Sequence, residues 1–187
     1  MLIVITGPSG VGKTTIINSL LKQDPNLKYS VSMTTRQPRH NERHGIDYHF
    51  VSEAEFRDRI EKDEFIEWSE VYGKYYGRLK KDLEDPSSDI VIGIDVQGAL
   101  KLKRIYPQAV FIFILPKSEK SLEMQLRGRG TESESSLKAR LDSAIYEIKK
   151  ADEFDYKIVN DEVNEAVKKI MCIIVAEKCR TKKIKSV

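Results

Sequence analysis

Residues 2–17 read LIVITGPSGVGKTTII, and the order of residue types in this stretch decides the fold. Leu2 to Thr6 is an apolar run of strand length, the pattern of a strand buried on both faces. Gly7 to Thr14, GPSGVGKT, satisfies G-x-x-x-x-G-K-[ST] in full. KTTIINSLLKQ follows, with Ile16, Ile17, Leu20 and Leu21 at helical spacing, and Asp24-Pro25 stops it. The glycines let such a loop curl until its N–H groups face phosphate oxygens, and the helix N-terminus adds partial positive charge. Lys13 is expected to reach the β- and γ-phosphates of a bound nucleotide, and the Thr14 hydroxyl to ligate Mg²⁺.

The same buried-strand pattern returns at DIVIGID (89–95), AVFIFIL (109–115) and YKIVN (156–160). Between them lie helical stretches: QGALKLKRIY before Pro107, SEKSLEMQLRGRG, a helix capped by Thr131 and Glu134, and EVNEAVKKIMCIIVAEKC. Alternating apolar strands and helices predict an α/β fold with a parallel sheet flanked by helices. Residues 29–88 differ. YSVSM and DYHFVS alternate like half-buried strands, Ser52 and Glu55 suit a capping box, and FIEWSEVYGKYYG suits a hairpin turning at Gly73-Lys74. This block reads as a β-rich insertion without parallel character. Residues 1–28 and 89–187 form the core, which includes a lid over about 118–145.

The chain has 187 residues, 33% of them charged, with a net charge of only +3. This excludes a polybasic nucleic-acid binder, so any basic site is local. The basic C-terminal KCRTKKIKSV reads as a solvated tail. No 18-residue apolar run is present, so no membrane span is expected. Cys172 and Cys179 stand seven apart on a helix, about 10 Å along its axis, too far for a disulfide. Free thiols point to a reducing compartment, hence the cytoplasm. His40, His44 and His49 lack metal-ligand spacing, and Trp68 and Tyr75 read as sheet packing.

Beyond the loop, Arg36, Arg39, Arg127, Arg129 and Arg140 stand in or beside turns rich in Gly and Thr. Guanidinium forks suit phosphate oxygens, and joining two phosphates end to end requires cations from both sides. The RGRG turn suits a lid that closes to exclude water.

TGPSGVGKTT, SVSMTTRQPR, DYHFVSEAEF, FIEWSEVYGKYYG, IDVQGALKLK, FIFILP, LRGRGTESE and YKIVND, in that order, resemble guanylate kinase over nearly the whole chain. The resemblance implies a phosphotransferase that uses ATP and Mg²⁺ and acts on GMP. It makes 29–88 the nucleoside-monophosphate-binding insertion and places ATP on Gly7, Pro8, Ser9, Gly10, Val11, Gly12, Lys13, Thr14 and Thr15, with Asn160 and Asp161 near its base or ribose. Arg36, Arg39, Tyr48 and Tyr76 would hold the GMP phosphate. Ser32 and Glu67 would read guanine, with Asp95 nearby. Lys13, Arg36, Arg129 and Arg140 would act on the transferred group. The carboxylate of Glu67 can accept from guanine N1–H and the 2-amino group, which adenine does not offer.

The chain departs from the family pattern in four places. Arg78, expected to bind GMP, stands where a Ser or Thr hydroxyl usually reaches guanine O6 and could itself donate there, Gly93 replaces an acid, the connection from Gly77 to Asp95 is shortened, and Gln125 replaces an arginine of the lid helix. Two alternatives therefore stay open: a nucleoside monophosphate kinase of altered base choice, and a catalytically silent interaction module of the same fold. Partners are expected to be nucleotides, not nucleic acid polymers or membranes, with the chain a monomer or homodimer.

Overall fold

The computed structural model describes residues 1–71, 73–83, 88–127 and 134–180. In chain order these form β1 (Leu2–Thr6), α1 (Lys13–Gln23), β2 (Leu27–Tyr29), β3 (Met33–Thr34), β4 (His49–Phe50), α2 (Glu53–Glu61), β5 (Phe65–Val71) and β6 (Lys74–Leu79). They continue with β7 (Asp89–Gly93), α3 (Val96–Ile105), β8 (Val110–Pro116), α4 (Glu119–Arg127), α5 (Glu134–Ile148), β9 (Tyr156–Asn160) and α6 (Val163–Lys178).

Five strands make one sheet in the order β2-β7-β1-β8-β9, and every pairing in it is parallel. Both faces are covered, which is why β1, β7 and β8 are continuous apolar runs. On one face α1 and α6 bury Ile16, Leu20, Val167, Ile170 and Ile174 against Ile3, Ile5 and Ile112. On the other, α3 buries Ala99 and Leu102 with Phe111, Phe113 and Phe154. The helices α4 and α5 pack on each other through Leu122, Leu126, Leu137 and Ala144.

The second sheet has the order β4-β3-β6-β5 and a small core of its own, Met33, Phe56, Phe65 and Leu79. The β5–β6 hairpin turns through Gly73 at φ 69°. Ser52 caps α2 by accepting from the Glu55 N–H, while the Glu55 carboxylate pairs with Arg59 rather than closing the box.

Three expectations are corrected. The insertion was read as lacking parallel pairing, yet β3 and β4 pair in parallel, Met33 with His49. YSVSM is not one strand. Tyr29 ends β2, an edge strand of the main sheet, and the chain crosses to the second sheet before Met33. Strands of two or three residues give too few alternations for a sequence pattern to resolve. Trp68 is 41% exposed, with its ring edge-on to Tyr75, rather than packed within the sheet. The shortened connection after Gly77 contains a single 3₁₀ turn, Lys80–Leu83, among its described residues. The expected cap at Thr131 lies outside the described residues.

Candidate active site

A sheet with all its strands parallel delivers their carboxyl ends to one edge, where α/β folds bind ligands. Here those ends lead into Gly7 after β1, Ser30 after β2, Asp95 after β7, Lys117 after β8 and Asp161 after β9. Buried Thr6 ties two of them together by donating from Oγ1 to the Ile94 carbonyl, 3.1 Å.

The loop after β1 bends through left-handed backbone at Gly7 (φ 143°) and Gly12 (φ 94°). Side chains are doubly excluded there. A Cβ on Gly7 would meet the Ile114 carbonyl at 2.4 Å, and one on Gly12 the Asn160 amide at 2.7 Å. Gly12 caps α1, so the loop ends on a helix N-terminus. Lys13 opens α1 and folds back over the loop, Nζ donating to the carbonyls of Gly7 (2.6 Å) and Pro8 (3.1 Å). Thr14 and Thr15 are exposed on the same turn.

The Asn160 amide Nδ2 donates to the buried Val11 carbonyl at 2.8 Å. The side chain that the family resemblance assigns to the ATP base or ribose is therefore engaged with the loop itself. Asn160→Ala strips Val11 of this partner, and an unpaired buried carbonyl costs about 1–3 kcal/mol. The expected result is a loss of stability of that size in urea unfolding together with a raised KM for ATP. Unchanged values of both would refute the buttress. Asp161 pairs with Lys117 at 2.7 Å on the surface.

Helix α5 reaches the same loop. Arg140 donates to Ser9 Oγ at 2.7 Å. Glu147, two turns on, accepts from the Ser9 N–H and sits in the field of Lys13. Burial holds its carboxyl above the ordinary range, with the Lys13 charge opposing and Asp95 reinforcing. Sequence reasoning missed Glu147. Its seven-residue spacing from Arg140, one helix face two turns apart, is the signal that could have found it. Arg129 lies outside the described residues. Arg127 pairs with Glu123 on its own helix.

A second cluster lies between the two sheets. The Arg36 guanidinium stands 5.5 Å from the Tyr48 ring centroid, and the Tyr48 and Tyr76 rings are 6.1 Å apart. Burial pushes the Tyr48 phenol up to about 12, so it remains a hydrogen-bond donor at neutral pH. Glu42 holds this arginine, accepting from Arg36 at 2.9 Å and from the Arg39 N–H at 2.8 Å. Sequence reasoning had no use for Glu42. The Arg39 side chain is mostly exposed, 3.8 Å from Glu42.

Glu67 and Arg78 face each other across β5 and β6. A bulge between Phe65 and Glu67 breaks the alternation, so Phe65, Ile66 and Glu67 are all buried. Burial raises the Glu67 carboxyl from 4.5 to about 7, against the nearby Arg78 charge. Arg78 is fully buried. Its NH1 donates to the Ser30 carbonyl and to Ser30 Oγ (2.8 Å), and its NH2 to Ser32 Oγ (2.6 Å) and the Gly93 carbonyl (3.3 Å). The two positions that depart from the family pattern, 78 and 93, thus touch. Asp95 caps α3 by accepting from the Gly98 N–H at 2.9 Å. Gly77 lies inside β6, where a Cβ would stand 2.7 Å from the Phe65 ring.

The described residues thus bring together a glycine loop reached by Lys13, Arg140 and Glu147 and, on the insertion, Arg36 with Tyr48 and Tyr76, and Arg78 with Ser32 and Glu67. The guanylate kinase family model matches residues 1–177. The guanylate kinase of Caldanaerobacter subterraneus subsp. tengcongensis is 50% identical over 184 residues, covering 96% of this chain and 89% of its own. That of Clostridium acetobutylicum is 49% identical over 188 residues, covering 99% and 90%. The crystal structure of guanylate kinase from Anaplasma phagocytophilum superposes with a TM-score of 0.80 at 36% identity, covering 97% and 87%. With the model, the relatives and the fold in agreement along its length, the chain belongs to the guanylate kinase family.

Proposed function

We propose that the chain transfers the γ-phosphoryl group of ATP to GMP, giving ADP and GDP, with ATP on the loop Gly7–Thr15 and GMP on the insertion 29–88. The observation that carries this reading is the pairing of an intact phosphate loop with a pocket that ends in a buried carboxylate. Glu67 accepts from guanine N1–H and the 2-amino group, and Ser32 donates to O6. Arg36, Arg39, Tyr48 and Tyr76 hold the acceptor phosphate at the other end, with Asp95 near the base. Lys13 and Arg140 neutralise the transferred group from two sides, joined by Arg129 when the lid closes. Asn160 supports the loop from behind and Asp161 borders the ATP base. Catalysis then rests on positioning and charge, with no protein nucleophile.

Thr14 suits Mg²⁺. Its hydroxyl is exposed at the start of α1 and has no hydrogen-bond partner among the described residues. Held there, the ion would offset the negative charge of the phosphates. Cys172 and Cys179 are free and exposed, which supports a reducing, cytoplasmic setting. No helix among the described residues is long and apolar enough to cross a membrane.

Neither alternative is favoured. Guanylate kinases match along the whole length at 50% and 49% identity, and Lys13 and Thr14, which a silent module has no need to keep, are intact. A coupled ADP assay with ATP, Mg²⁺ and GMP, dGMP, AMP, CMP or UMP tests the reading. Turnover with GMP is expected to exceed that with AMP or the pyrimidines by about 10⁴-fold or more, the discrimination available when a site is built to hydrogen-bond its substrate. Turnover with AMP or a pyrimidine in preference to GMP would overturn it.

A further inference from the structure

We propose that Arg78 acts through Ser32: it fixes the Ser32 hydroxyl as a donor and so tunes the pocket to a purine with a 6-keto oxygen. This rests on the reading of 29–88 as the GMP site.

All four terminal N–H bonds of the guanidinium are committed to protein acceptors: the Ser30 carbonyl, Ser30 Oγ, Ser32 Oγ and the Gly93 carbonyl. These acceptors come from the segment after β2 and the end of β7, whereas Arg78 belongs to the second sheet. The arginine therefore pins one sheet to the other, and its terminal nitrogens have no N–H left for a ligand. Arg78 thus cannot replace a base-reading hydroxyl by donating from those nitrogens.

What it does is assign roles. A hydroxyl has one donor and two acceptor sites. With Ser32 Oγ accepting from Arg78 at 2.6 Å, its O–H is left to donate, and no described hydrogen bond uses it. Glu67 is in the complementary position, a buried carboxylate with no hydrogen-bond partner among the described residues. Ser32, just before β3, and Glu67, on β5, thus offer one donor and one two-oxygen acceptor. Guanine presents a keto oxygen beside two N–H groups, the matching pattern, whereas adenine presents an amino group where the Ser32 O–H would donate. Arg78 Nε–H is also buried without a protein partner.

The charge has a second consequence. Glu67 is faced by Arg78 from β6, by Asp95 at the start of α3 and by Lys101 on α3. Arg78 itself is faced by Tyr29 from β2 and by Glu67. Removing the guanidinium removes the leading cation that keeps Glu67 ionised.

The test compares GMP with 6-thio-GMP, which keeps N1–H and the 2-amino group and replaces the keto oxygen with a weak acceptor. In Arg78→Ala, which removes the guanidinium and adds no hydroxyl, the KM for GMP is expected to rise at least tenfold and that for 6-thio-GMP less than threefold, with the acid limb of kcat/KM for GMP moved to higher pH. Ser32→Ala, which leaves the guanidinium in place, is expected to reproduce the substrate pattern without the pH shift. The double variant is expected to lose no more on GMP than the worse single variant, as coupled residues do. Equal losses on both nucleotides would show a merely structural arginine and overturn the inference, as would fully additive losses. Should Arg78→Ala fail to fold, Ser32→Ala alone decides, because a loss shared equally by the two substrates there refutes the donor role. Failure of the wild-type protein to phosphorylate GMP would instead overturn the reading on which the inference rests.

Discussion

Lys13→Ala is expected to lower kcat for phosphoryl transfer by at least 10²–10³-fold, the usual effect of removing one preorganised donor from a developing charge. Nζ already lies against the carbonyls of Gly7 and Pro8, at the mouth of the loop, so it needs only a short reach to bound phosphate. On the proposed reading its charge acts where two anionic phosphates must approach. Arg140 comes from the lid side, through Ser9. The fold should survive. Lys13 is only half-buried, while the hydrophobic anchoring of α1 rests on Ile16, Ile17 and Leu20. Circular dichroism and a melting temperature within a few degrees of wild type would separate lost chemistry from lost structure. Lys13→Arg should not rescue, since a planar fork cannot replace a compact ammonium in a loop this tight. Near-native turnover by the alanine variant would remove the loop from the mechanism.

The second large effect concerns pH. In the proposed site Glu67 accepts from guanine N–H groups as a carboxylate, and in the free protein burial raises its carboxyl from 4.5 to about 7, Arg78 opposing and Asp95 reinforcing. We expect kcat/KM for GMP to fall about tenfold per unit below pH 7 and to level off above it. The phosphate of GMP titrates near pH 6 itself, so Glu67→Gln supplies the baseline, keeping the nucleotide's limb and losing the other. A wild-type profile superimposable on that of Glu67→Gln would end the assignment.

The same shift predicts an opposite effect on stability. An acid raised by folding contributes stability that is fully present below its unfolded value, about 4.5, and lost as pH rises through about 7. At pH 8 the free protein carries the cost of an ionised buried carboxylate. Glu67→Gln should therefore be more stable than wild type by on the order of 3 kcal/mol at pH 8, and close to it at pH 4. Urea unfolding at the two pH values measures the difference. On the proposed reading, binding guanine through a buried acid gives up stability for selectivity, a trade common at active sites.

Much of this was legible in the chain before any coordinates. LIVITGPSGVGKTTII carries the strand, the loop and the helix within sixteen residues, because phosphate binding by backbone amides needs glycines, a helix start and one lysine in a fixed local order. The long apolar strands and the amphipathic helices were equally plain, since burial on two faces or on one writes its period directly into the sequence. Arg36, Tyr48, Tyr76, Ser32, Glu67 and Arg140 could be named from motifs. Their partners could not. That Asn160 supports the loop, that Glu42 holds Arg36, that Glu147 reaches Ser9 and that Arg78 joins two sheets are contacts between residues up to 149 positions apart. Local sequence determines which elements form and which residue types stand ready. Only packing decides which donor meets which acceptor, because a hydrogen bond depends on the final distance and angle between elements that the chain brings together last. Arg78 is the clearest case: as a letter it stands where a hydroxyl was expected, and in three dimensions it holds another hydroxyl in place.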